Sequence, residues 1–141
     1  MDYKIAIPSY KRSETIKNKT LKLLNEYGID NERITIFVAN KEQETIYKDS
    51  LQDKYKIVVG VPTIGKQRNF IEKYYKEGTR LMMFDDDIEK VQRKVKAKLV
   101  NVVDLEKEVF YKGFETCEMI NAKTFGIYAA SNPYFMKNRI Y

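Results

Sequence analysis

Four short apolar segments alternate with three helix-like ones through residues 1–88, and each apolar segment runs into polar or turn-forming residues. The apolar segments are Lys4–Pro8, Arg33–Asn40, Lys56–Pro62 and Arg80–Ile88. Between them Ile16, Leu23, Leu24 and Tyr27 fall at helical spacing, as do Ile46, Tyr47 and Leu51, and then Phe70, Ile71, Tyr74 and Tyr75. Strand–helix alternation calls for a parallel sheet with right-handed crossovers and helices on both faces. The strand ends at Ser9, Asn40, Val61 and Asp85 then gather along one edge, where open α/β sheets bind ligands.

The fourth segment carries the strongest chemical signal. Leu81-Met82-Met83-Phe84 reads as a strand buried on both faces, and it leads straight into Asp85-Asp86-Asp87. Adjacent carboxylates repel one another, so a fold that gathers them usually supplies a cation. An acidic turn in solvent is the bland reading of the triplet. The chain has no histidine and a single cysteine, Cys117, which excludes serine–histidine triads, cysteine–histidine pairs and intramolecular disulfides. A metal site here must use oxygen ligands, which favours manganese or magnesium. Cys117 itself falls in a helical pattern and reads as a buried, inert thiol.

No glycine-rich phosphate loop is present. The first strand turns through Pro8-Ser9-Tyr10-Lys11-Arg12, which matches neither the dinucleotide fingerprint nor the Walker sequence. What remains is a sheet edge with Arg12 on one turn, Gly65 to Asn69 on another and the aspartates on a third. That set suits a nucleoside diphosphate: carboxylates hold a divalent ion, and arginines complete charge neutralisation. For Arg68 alone, a surface salt bridge is the competing reading.

A net charge of +6 permits an anionic partner without naming one. Lys94-Val95-Lys96-Ala97-Lys98-Leu99 alternates as one strand would, with its lysines on a single face. It reads either as a basic ribbon or as a protected edge strand. Asp104 begins a helix, Phe125–Ala130 reads as a strand, and Ser131-Asn132-Pro133 as a turn. No membrane-length apolar run or signal peptide is evident, so a cytoplasmic location without membrane association is expected.

Taken together, Ile7-Pro8-Ser9 with Arg12, Glu44 with Tyr47, Gly65-x-x-Arg68-Asn69 and Asp85-Asp86-Asp87-Ile88 resemble the GT-A fold glycosyltransferases. The resemblance is closest to the phage and viral TET-associated glycosyltransferases, and is strongest over residues 4–90. It implies one GT-A-like, Rossmann-like α/β domain over residues 1–141, mostly parallel, with central strand order 3-2-1-4. Residues 1–90 would bind the donor, and 91–141 would form a mixed C-terminal extension with a short acceptor half, which reads as truncated, as naturally minimal or as one part of a larger assembly.

The activity implied is transfer of a sugar from a nucleoside diphosphate-sugar, with manganese or magnesium, to an acceptor hydroxyl such as hydroxymethylpyrimidine in DNA. Pro8, Ser9, Arg12, Gly65, Arg68, Asn69, Asp85 and Asp86 would contact the donor, and Asp85 and Asp87 the metal. Asn132-Pro133-Tyr134-Phe135 resembles the family's region near the donor sugar. The motifs assign no catalytic base, because in this family it commonly comes from the acceptor half. Nucleotidyl transfer, or donor or nucleic-acid binding without turnover, are the rival readings.

Overall fold

The computed structural model of the chain describes residues 1–129 and 131–137. It comprises two compact units, Met1–Glu89 and Lys90–Tyr141. The first contains β1 (Lys4–Pro8), α1 (Ser13–Asn18), α2 (Thr20–Glu26), β2 (Ile34–Val38), α3 (Lys41–Ser50), β3 (Lys56–Val59), α4 (Ile64–Tyr74) and β4 (Leu81–Met83). A 3₁₀ turn at Asn31–Arg33 leads into β2. The four strands form one parallel sheet in the order β3-β2-β1-β4, as the sequence predicts.

The two middle strands carry the core. Ile5, Ala6, Ile7, Ile34, Ile36, Phe37 and Val38 are fully buried. Each large aliphatic side chain taken from water contributes about 1.5–3 kcal/mol. Phe37, Ala6 and Ile71 of α4 form a cluster flanked by Val58, Phe70, Tyr75, Leu81 and Met83.

β4 corrects the expectation of a strand buried on both faces. It is three residues long, and of these only Met82 is buried. As the terminal strand it has β1 as its single neighbour, which leaves Leu81 and Met83 half-buried.

Helix one also differs from its prediction. The spacing from Ser13 to Tyr27 suggests one helix, but Lys19 (φ −116°, ψ −88°) breaks it into α1 and α2. The second ends as expected: Gly28 sits at φ +72°, and the Ile29 amide donates to the Leu24 carbonyl. In α3 the buried residues are Gln43 and Tyr47, while Ile46 is exposed, so the inward face is one residue-step away from the apolar pattern. In α4 Gln67 and Ile71 are buried and Tyr74 is exposed, its ring set edge-on to Phe37 at the rim of the sheet.

The second unit opens with a hairpin, β5 (Gln92–Val95) and β6 (Lys98–Asn101), rather than the single strand read across Lys94–Leu99. The chain reverses at Lys96, whose φ is +57°. Lys94 lies opposite Leu99 and Val95 opposite Lys98. Cross-strand partners share a face, so Lys94 and Lys98 point to opposite sides, and the three lysines do not form one stripe. A π-helical segment, Glu106–Tyr111, continues into α5 (Lys112–Met119).

Cys117 is half-buried on α5, not enclosed. Phe125 to Ala129 form no strand, and Ala130 lies outside the described residues. Phe125 instead lays its ring over Gly113, where any Cβ would collide with it, and meets Phe114 edge-on at 5.4 Å. The predicted turn at Asn132 is present, with its side chain accepting from the Tyr134 amide.

Candidate functional site

The carboxyl ends of the strands in the first unit surround a cleft of about 630 Å³. Pro8, Ser9, Tyr10 and Arg12 line it from the turn after β1, Ala39 from the end of β2 and Val61 to Ile64 from the approach to α4. Gln67 and the three aspartates complete its wall.

Asp86 is the buried member of the triplet, and both its oxygens are used internally. Oδ2 accepts the Ser9 hydroxyl at 2.7 Å, and Oδ1 faces the Arg12 guanidinium at 3.1 Å. Asp85 and Asp87 are exposed on either side. Each is neutralised by one arginine, Asp85 by Arg68 at 3.0 Å and Asp87 by Arg12 at 3.3 Å. The cations that three adjacent carboxylates require are therefore two guanidinium groups supplied by the chain itself. Thr20, brought in by the break between α1 and α2, donates to the Asp85 carbonyl at 2.7 Å and accepts from the Ile88 amide at 2.9 Å. One buried hydroxyl thus fixes both ends of the acidic turn.

The turn after β1 is held by α3. The Tyr47 hydroxyl lies 2.7 Å from Ser9 Oγ and accepts from the Arg12 amide at 3.0 Å. Ser9 has one hydroxyl proton and gives it to Asp86, so Tyr47 must donate to Ser9. Burial raises the Tyr47 phenol above its ordinary pKa, despite the opposing hydrogen bonds from Ser9 and Arg12. Lys11, at φ +52°, turns its amide to Gln43 Oε1 at 2.9 Å.

On the opposite wall, buried Gln67 bridges two strands' ends. Its Nε2 donates to the Val38 carbonyl at 3.0 Å and its Oε1 accepts from the Val61 amide at 3.0 Å. Thr63, the residue before α4, holds φ +69° with no side-chain cap. Such a conformation costs a β-branched residue about 1–3 kcal/mol, borne by the surrounding packing.

Of the residues singled out in the sequence, Pro8, Ser9, Arg12, Asp85, Asp86 and Asp87 line the cleft, and Arg68 reaches its rim through Asp85. Gly65 and Asn69 are exposed on α4 and do not line it. Asn132 to Phe135 belong to the second unit. Sequence reasoning missed Thr20, Gln43 and the polar role of Tyr47, and gave Gln67 no task. A usable signal was present: Gln43 and Tyr47 are spaced i, i+4 on a helix with few apolar residues, so they share its buried face.

Among the described residues, no group of three or more Asp, Glu, Cys or His side chains converges to hold a metal ion. The donor set suits an ion only partly held by protein. Two exposed carboxylates offer hard oxygens on the cleft wall, and magnesium-like ions are commonly held by one or two carboxylates together with substrate phosphates.

A parallel sheet whose strand ends frame a cleft lined by Arg12 and three aspartates defines an α/β domain with its ligand-sized cleft at the carboxyl edge of the sheet. The chain belongs to the TET-associated glycosyltransferase family, whose profile matches residues 3–138. By family it is a glycosyltransferase. No curated protein and no solved structure matches it. Among the described residues, no helix is long and apolar enough to cross a membrane.

Proposed function

We propose that the chain transfers a sugar from a nucleoside diphosphate-sugar bound in the strand-end cleft to an acceptor hydroxyl, with hydroxymethylpyrimidine in DNA as the acceptor. The observation that carries this reading is the arrangement of Arg12, Arg68, Asp85 and Asp87, two cations and two exposed carboxylates, on one rim. Asp85 and Asp87 would hold a manganese or magnesium ion, which supplies positive charge to the diphosphate as it leaves the sugar.

The chain's own groups do the rest. Arg68 exchanges Asp85, and Arg12 exchanges Asp87, for phosphate oxygens, which guanidinium groups bind strongly, while the other nitrogen of Arg12 keeps Asp86. Stabilising the departing diphosphate in this way is the kind of electrostatic effect that lowers such barriers most. Pro8 and Ala39 offer apolar surface at the back of the cleft for the nucleoside.

The test is a thermal-shift screen of nucleoside diphosphate-sugars with and without manganese. A ligand that binds only the folded protein raises its stability with the logarithm of concentration over Kd. A manganese-dependent shift for one donor is expected, together with release of nucleoside diphosphate once acceptor is added. Release of pyrophosphate would instead mark nucleotidyl transfer. In Asp87→Ala the manganese-dependent shift should disappear while the unliganded protein stays folded, and its persistence would remove Asp87 from the metal site.

A further inference from the structure

We propose that Tyr47 is a positioning residue of the cleft, acting through Ser9 on Asp86, and that Asp86 is the internal strut of the acidic triplet rather than one of its ligand-facing members. The inference rests on the donor-site reading above for its consequence in binding, but its structural part stands on the hydrogen bonds alone.

Every proton in this chain of groups has a determined direction. The Tyr47 hydroxyl donates to Ser9 Oγ, and Ser9 donates to Asp86 Oδ2. Tyr47 also accepts from the Arg12 amide, while Arg12's guanidinium takes Asp86 Oδ1. The loop thus closes on itself: phenol, hydroxyl, carboxylate, guanidinium, and back through the Arg12 backbone to the phenol. It links α3, which contributes no residue to the cleft lining, to the β1 turn and the β4 turn, which do. Tyr47 is fully buried, and Ser9 and Asp86 nearly so, at 7% and 6% exposure, so water does not readily substitute for a lost member.

A closed loop of this kind divides the labour within the triplet. Asp86 is buried with both its oxygens engaged inside the protein, whereas Asp85 and Asp87 are exposed and paired with half-exposed arginines. Asp86 sets the angle of the turn and the height of Arg12, and Tyr47 sets Asp86. Tyr47 itself does not line the cleft. Its effect on binding must pass through its neighbours.

The experiment uses the full chain and the variants Tyr47→Phe, Ser9→Ala and the double variant. Hydrogen exchange is followed over residues 9–12 and 84–88, and binding of manganese with UDP or GDP is followed by calorimetry and by loss of the free manganese EPR signal. Tyr47→Phe keeps the buried ring and should fold, as its circular dichroism would show. It should speed exchange in both turns while leaving β2 unchanged, and weaken manganese–nucleotide binding about tenfold, as expected for a lost hydrogen bond in a charge-linked network.

Ser9→Ala should produce the same pattern, and the double variant should lose little more than either single one, because both interrupt the same loop. Unchanged exchange in residues 84–88 of Tyr47→Phe would overturn the positioning role, as would losses that add in full. If the wild-type protein binds neither nucleotide with manganese, the donor reading fails at this site. The exchange pattern then still decides whether Tyr47 holds the acidic turn.

Discussion

Ser9 and Asp86, 77 residues apart in the chain, meet at 2.7 Å, with the serine hydroxyl donating to the buried carboxylate. That bond joins the end of β1 to the turn after β4, and it exists because parallel pairing brings the two neighbouring strands to a common edge. Ala6 faces Met83 in the register, and the Phe84 amide continues the ladder to the Ala6 carbonyl, so the next residues of both strands emerge side by side.

Asp86 should accordingly matter more to stability than its exposed neighbours. Removing one partner of a buried, hydrogen-bonded charge pair leaves the others unsatisfied and typically costs about 3–5 kcal/mol. Arg12 is half exposed and can recover water, so Asp86→Ala should cost about 2–3 kcal/mol, nearer the range for a lost charged hydrogen bond. Asp87→Ala, at the surface, should cost under about 1 kcal/mol. Urea denaturation of the two variants provides the comparison, and equal midpoints would contradict the buried-strut assignment.

How much of this was legible beforehand differs between fold and site. The sheet could be read because Ile5, Ile7, Ile34, Ile36 and Val38 form short β-branched runs, each followed by turn residues. The acidic turn and Arg12 could be read because charged residues at strand ends have few other uses. For Gln43 and Tyr47 the i, i+4 spacing marks a shared buried face but not the distant turn their polar groups hold, and Thr20 carries no signal at all, since a threonine within a helix reads as packing until its hydroxyl acquires a partner. The hairpin at Lys96 was hidden for a different reason. Strict alternation through Lys94–Leu99 continues unbroken across the reversal, and no Gly, Asn, Asp or Pro marks it. The Phe125–Ala129 segment has strand composition, but no neighbouring strand pairs with it among the described residues.

Gln67 offers a second stability test. Its amide satisfies the Val38 carbonyl and the Val61 amide at the ends of two segments whose ladder stops nearby. Gln67→Leu keeps the volume but takes the partner from the Val61 amide and one of two from the Val38 carbonyl, which keeps the Gly60 amide, so a loss of about 1–3 kcal/mol is expected in chemical denaturation. Gly60→Ala should behave similarly. A Cβ at Gly60 would collide with the Gln67 side-chain amide and push it off the same two partners. If Gly60→Ala were as stable as wild type, Gln67 would be free to rearrange and its bridging role would be minor.

Tyr47 and Tyr75 give the protein an alkaline dependence. Burial raises both phenols above the ordinary value near 10. A group with a raised folded-state pKa contributes its full stability below the unfolded pKa and loses it as the pH climbs through the folded one. Stability should therefore be level from neutrality to about pH 9 and decline beyond about pH 10. Tyr47→Phe should make that decline shallower, since one of the two buried phenols no longer has to ionise on unfolding. Denaturant midpoints measured across this range would show it, and an unchanged slope would remove Tyr47 as a source of the alkaline sensitivity.

Arg68 separates a surface salt bridge from a ligand-binding role. It pairs with Asp85 at 3.0 Å, with both side chains at least half exposed, so the pair itself contributes little to folding. If the same arginine binds the diphosphate, Arg68→Met has two opposite effects. Manganese alone should bind somewhat more tightly, because Asp85 is no longer neutralised by a guanidinium that the ion must displace. Manganese with nucleoside diphosphate should bind more weakly by about 1.5–3 kcal/mol, the usual range for a hydrogen bond to a charged group. Manganese and diphosphate should accordingly bind with positive cooperativity in the wild type, since each ligand takes one partner of a pair and frees the other for its companion. That cooperativity should shrink in Arg68→Met. Calorimetric titrations of manganese with and without nucleotide, on both proteins, measure all four affinities. Parallel losses in both titrations would return Arg68 to a purely electrostatic neighbour of Asp85.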